Sequence, residues 1–219
     1  MAVVNLVKGQ RVNLTQQFNG QTKWRVGISW DLADGKTFDL DVMALLLTDK
    51  VANQGRVVSE DFTAAYFSND PSRPNFDKIV VKDASGQVTG FKSIDGSVVH
   101  MGDNRDGAGD GDDEVIKVDL SKVDPRVKSI LFLVNIYTED DPSKNYNFGM
   151  VKNATIRLYE ADSDVPSLVY ELQEDFSVEH NLEFAELYLH TDNSWRLNAL
   201  GEGTNLSFAD ELKKFGIPC

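Results

Sequence analysis

Residues 129–137 read SILFLVNIY. A short, nearly unbroken apolar run of this kind fits a strand in the core, and it is far too short to span a bilayer. The stretches around it have the same character. WRVGISWD (24–31) and FDLDVMALLL (38–47) read as strands separated by a turn near Asp34 and Gly35. FTAAYF (62–67), KIVV (78–81), EVIKVDL (114–120), ATIRLYEA (154–161), SLVYELQ (167–173), FAELYLH (184–190) and WRLNAL (195–200) complete the set. Many short strands with turn signals every ten or so residues predict an all-β fold, a β-sandwich of two antiparallel sheets. One helix is expected, at the C-terminal end. Ser207 precedes FADELKKFG with Asp210 three residues on, and Gly216 and Pro218 stop it.

The chain has 219 residues, 41% of them hydrophobic, which is enough for one sizeable core in a single domain, 1–219. The formal net charge of -13 argues against a nucleic-acid partner, because nothing replaces the counterions of a phosphate backbone. It also argues against direct docking on anionic lipid unless a cation bridges. Cys219 is the one cysteine, so no disulfide framework forms and a reducing compartment is expected. GIPC is not a prenylation box, and MAVVNLVKGQ lacks the pattern of a signal peptide. The longest apolar run, 42–47, is no membrane span. Together these lead to the expectation of a cytoplasmic protein.

The chemistry concentrates in GDNRDGAGDGDDE (102–114), with six acids, one arginine and four glycines in thirteen positions. Two carboxylates about 4 Å apart repel by roughly 4 kcal/mol at an effective dielectric near 20. Asp110, Asp112, Asp113 and Glu114 cannot converge ionised without a counter-charge, and Arg105 supplies one. A solvated acidic turn is the plainer alternative. A hard divalent cation would also resolve the conflict, since calcium takes six to eight oxygens. Gly107, Gly109 and Gly111 would let the backbone turn tightly and offer carbonyls. FDLD supplies a second pair. On a strand, Asp39 and Asp41 share one face while Phe38, Leu40 and Val42 share the other. The EF-hand pattern fails from Asp103, Asp106 and Asp110, and GAGDGD resembles one β-roll nonapeptide without the repeats that make such rolls work. Zinc prefers Cys and His, and His100, His180 and His190 form no zinc motif and read as structural or surface residues.

The order of WD (30–31), FDLD (38–41), GDN (102–104) and GDGDDE (109–114) resembles the TerD family of tellurium-resistance and stress-response proteins. NFGMVKNATIRLYE (147–160), EDFS (174–177) and AELYLHTDNSWRLNALGEG (185–203) extend the resemblance over nearly the whole chain. It implies a calcium-binding β-sandwich acting in the cytoplasm, in resistance to tellurite, some phages and pore-forming colicins, with no enzymatic activity. The ligand suppliers it implies are Asp39, Asp41, Asp103, Asn104, Asp112, Asp113 and Glu114. Asp31 and Asn69 form a second rank, and Gly109 and Gly111 are carbonyl donors. Two calcium ions suit so many oxygens better than one. Other stress-response proteins, some membrane-associated, are the expected partners, without insertion into a membrane.

The sequence departs from that family at several points. Residues 70–92 are an insertion where members have a short turn, and it is either a partner-binding loop, an added hairpin or a tolerated surface excursion. More broadly, residues 68–97 read as the least regular region, an exposed loop with an exposed Phe76. Asp110 stands where Glu is usual, and Leu189 where Arg is usual.

Two other functions bear on the same residues. A β-sandwich glycoside hydrolase would use Asp39 and Asp41 as its carboxylate pair, with Trp30 stacking on a sugar. A calcium-dependent carbohydrate- or membrane-binding module would use a bound ion as a bridge. Direct tellurite reduction lacks a thiol pair and a dinucleotide fingerprint. Trp24, Trp30 and Trp195 lie in strand-like runs and read first as core, and Lys152 and Arg157 as groups that orient acids or balance charge.

Overall fold

The computed structural model describes residues 2–31, 39–49, 55–65, 71–73, 75–102, 111–137, 146–173 and 176–218. Fourteen strands among these form two sheets. The first holds eight strands in the order β1 (Val4–Leu6), β12 (Leu168–Glu171), β11 (Lys152–Glu160), β3 (Lys23–Asp31), β9 (Glu114–Asp119), β8 (Val98–His100), β7 (Val88–Lys92) and β6 (Val80–Lys82). The second holds six, in the order β2 (Arg11–Asn13), β14 (Trp195–Thr204), β13 (Asn181–Leu189), β10 (Ser129–Tyr137), β4 (Asp39–Leu47) and β5 (Thr63–Ala64). All the pairings are antiparallel except that of β1 with β12. The fold is the expected all-β sandwich.

β10 shows why its sequence is apolar throughout. Ile130, Phe132, Val134 and Ile136 face the first sheet and join Trp24, Val26, Ile28 and Trp30 of β3 in the main core. Leu131 and Leu133 face the other way and are still buried, with Met43, Leu45 and Leu47 of β4. The C-terminal helix α3 (Phe208–Lys214) and the residues after it cover them, packing Leu212, Phe215 and Ile217 onto this outer face. A strand sandwiched on both faces has no reason to alternate. The helix starts as expected: Ser207 Oγ accepts from the Asp210 main-chain N–H at 3.2 Å. Gly216 takes φ +81°, which favours glycine just beyond the helix end.

Of the readings open for the segment 70–92, its described residues take that of an added hairpin rather than an irregular loop. After one helical turn, α2 (Phe76–Ile79), the chain makes the β6–β7 hairpin, and β8 then joins it to β9. KIVV is thus half helix and half strand. Ile79 and Phe91 are buried, so this hairpin has its own apolar anchors. Phe76 is half-buried rather than exposed. FTAAYF shortens to a 3₁₀ turn at Glu60–Phe62 followed by β5. β1, β2, β7, β8 and the single turn α1 (Leu14–Gln17) had no clear sequence signal, being five residues or fewer.

The candidate acidic site

The starts of β4 and β9 meet at one end of the sandwich. Glu114 sits on the inward face of β9 with Ile116 and Val118, and its side chain is 1% exposed. Its Oε2 accepts from the Val42 main-chain N–H at 3.1 Å. His100, fully buried at the end of β8, closes the arrangement. Its Nε2 lies 2.9 Å from the Val42 carbonyl oxygen and 3.3 Å from Glu114 Oε2. The Gly102 N–H donates to Nδ1 at 3.3 Å, which leaves the ring proton on Nε2, facing both acceptors. His100 is therefore a structural residue, as expected from the sequence.

Asp113 continues the β3–β9 pairing. Its N–H donates to the Ile28 carbonyl at 2.8 Å, and its Oδ2 accepts from the Trp30 N–H at 2.9 Å. Burial pushes its carboxyl above the usual range, and the charges of Asp112 and Asp31 push the same way. Asp31, exposed at the end of β3, accepts from the Asn153 side-chain amide. Asp39 and Asp41 pair across β10 with Tyr137 and Asn135. Strand alternation places them on the face of β4 opposite Leu40 and Val42, which lie in the core, as expected. Phe38 lies outside the described residues.

Asp112 has another environment. It lies over the outer face of the eight-stranded sheet, and its side chain is 4% exposed. Arg157 Nη1 donates to its Oδ1 at 3.0 Å, Tyr159 Oη donates to the same oxygen at 3.2 Å, and Arg25 Nη1 donates to Oδ2 at 3.3 Å. Two guanidinium groups from β3 and β11 thus supply counter-charge to this part of the acidic stretch. Arg157 does orient an acid. Arg25 and Tyr159 escaped the sequence reading, because they lie 87 and 47 residues from Asp112.

The described acids therefore share one end of the sandwich but not one point. Glu114 lies between the sheets, Asp112 outside the first sheet, and Asp39 and Asp41 on the outer face of the second. Among the described residues, no three of His, Cys, Asp and Glu form a group that would hold a metal. Gly111, at φ +111°, is described. Asp103, Asn104, Gly109 and Asn69 lie outside the described residues. The donor chemistry, carboxylate oxygen almost throughout, fits a hard cation such as calcium better than zinc. Trp30 is 2% exposed in the core, which removes it as a sugar-stacking platform. Trp24 is likewise core and Trp195 half-buried.

The chain is a two-sheet β-sandwich with a cluster of acids at one end, and comparison with known proteins identifies its family. Residues 1–215 match the TerD domain, and the chain belongs to the TerD family. It is 36% identical over 217 residues to tellurium resistance protein TerD of Serratia marcescens, covering 98% of this chain and 97% of that one. General stress protein 16U of Bacillus subtilis is 35% identical over the same length, again covering 98% and 97%. A solved homologue of telluride resistance protein (TerD) from Streptomyces coelicolor A3(2) superposes with a TM-score of 0.58 at 18% identity, over 91% of this chain and 100% of that one. That likeness supports the fold. The relatives' names are those of resistance and stress-response proteins, not of enzymes. No described helix is long and apolar enough to cross a membrane.

Proposed function

We infer that the protein is a calcium-binding, non-enzymatic interaction module of the tellurium-resistance and stress response, acting in the cytoplasm on other stress-response proteins. The observation that carries this reading is the Val42 N–H bond to Glu114, which ties the FDLD strand to the acidic stretch. It supports a shared site at the end of the sandwich. Asp39 and Asp41 in one part of that end, and Asp113, Glu114 and Asp31 in another, would supply oxygens together with Asp103, Asn104, Asn69 and the Gly109 and Gly111 carbonyls, an arrangement that suits two ions better than one. Asp112, held by two arginines, would anchor the stretch rather than face the ion. Bound calcium would supply the positive charge that so many carboxylates lack, and binding would be coupled to stability.

Calorimetry with calcium, together with melting curves in calcium and in chelator, tests this. Heat of binding and a higher melting temperature with calcium are expected. No heat together with an unchanged melting curve would overturn the calcium reading.

A further inference from the structure

The contacts of Asp112 describe a receptor as well as an anchor. Gly27 of β3 lies between Arg25 and Ser29 on the outer face and pairs with Arg157 of β11 on one side and Val115 of β9 on the other. Having no side chain, it leaves a notch, and the Asp112 carboxylate fills it. A Cβ at Gly27 would sit 2.0 Å from Asp112 Oδ2. Around that notch the donors converge on a flat anion. Arg157 Nη1, itself fixed by a 2.7 Å bond to Ser29 Oγ, and Tyr159 Oη address one oxygen, and Arg25 Nη1 the other.

The cradle is preorganised independently of the acid it holds. The Arg25 guanidinium stacks on the Tyr159 ring at 3.8 Å and donates through Nη2 to the Ser163 carbonyl at 3.1 Å. Such stacking and forked donation fix a guanidinium plane, which is how arginine selects carboxylates. The two arginine side chains remain 24% and 27% exposed, so the cradle borders solvent while its occupant is buried.

We propose that Arg25, Arg157 and Tyr159 over the Gly27 notch form a carboxylate-binding site, for which Asp112 is the built-in ligand and a free carboxylate the external one. An internal ligand competes at the high effective concentration of a tethered group. Removing it therefore unmasks the site.

The test uses the full chain in resin-treated buffer free of divalent ions, with formate as probe and chloride at equal ionic strength as control. Asp112→Ala should melt lower than the wild type in chloride. It should bind formate at least about tenfold more tightly than the wild type and recover part of its lost melting temperature. Asp112→Ala combined with Arg157→Gln should lose that formate-specific gain. If Asp112→Ala does not fold in chloride, its refolding on dialysis into formate is the supporting result. A variant that responds equally to formate and chloride, or a double variant that responds as well as the single one, overturns the proposal. So does an Asp112→Ala chain that formate fails to refold.

Discussion

Glu114 of β9 and Val42 of β4 are joined across the sandwich by a 3.1 Å hydrogen bond from main-chain N–H to carboxylate, although 72 residues separate them. The bond ties one sheet to the other at the acidic end. A buried carboxylate in this position is stabilised only by donors, and the Val42 N–H and the Nε2–H of His100 are aimed at it. Removing the carboxylate strands the Val42 N–H in the core, while His100 Nε2 keeps the Val42 carbonyl as its partner. Glu114→Ala should destabilise by about 2–3 kcal/mol, since bonds to charged groups are the costly ones to lose. Urea unfolding of the metal-free protein measures this apart from any loss of ligand binding.

Gly27 should tolerate no side chain while Asp112 is in place. Gly27→Ala is expected to cost about 1–3 kcal/mol by forcing the carboxylate out of its notch. In an Asp112→Ala background the same substitution should cost much less. The non-additivity of this double-mutant cycle is the diagnostic quantity.

Glu186 makes stability depend on pH. It lies on the outer face of β13, 3% exposed, with its Oε1 accepting from Asn198 Nδ2 at 3.3 Å. Its Oε2 has no hydrogen-bond partner among the described residues. Burial foremost, with the charge of Glu183 adding, pushes its carboxyl up from 4.5 to about 7, against the opposing pull of Asn198 and Arg11. The folded state therefore keeps a proton that the unfolded chain has released. The stability from this group is fully present below pH 4.5 and is lost as pH rises to about 7, by up to about 3 kcal/mol. Glu186→Gln should flatten that slope and be more stable than the wild type above neutrality. Denaturant midpoints measured from pH 5 to 8 check the sign.

The C-terminal helix is part of the core. Phe215 is fully buried against the outer face of the six-stranded sheet. Phe215→Ala should cost about 3–5 kcal/mol, as large aromatic truncations in packed interiors do. It should also weaken the contact beside it, where the Val57 N–H donates to the Phe215 carbonyl at 2.9 Å. Thermal unfolding gives the magnitude.

Local pattern revealed the long strands, because alternation and continuous apolar runs persist over nine residues in β3, β4, β10 and β11. It missed the three-residue strands β1, β2 and β8, which exist by pairing with a neighbour and carry no period of their own. It left the β6–β7 hairpin as one of several alternatives, because its Pro- and Asn-rich approach also looks like loop. The acid-rich end was legible as composition, since like charges at such density demand a counter-charge wherever they fold. Which group answers that demand was not. Arg25 and Arg157 reach Asp112 because β3 and β11 lie side by side and Gly27 leaves room between them.

The sequence by itself determined the sandwich class, the C-terminal helix and the segments that would carry the acidic chemistry, because these follow from side-chain periodicity and charge density within a few residues. Only the tertiary structure decided that β10 is covered on both faces, that Glu114 turns inward to Val42 and that Asp112 turns outward to two arginines. Those outcomes depend on strand order and register, which are set by packing between segments tens of residues apart.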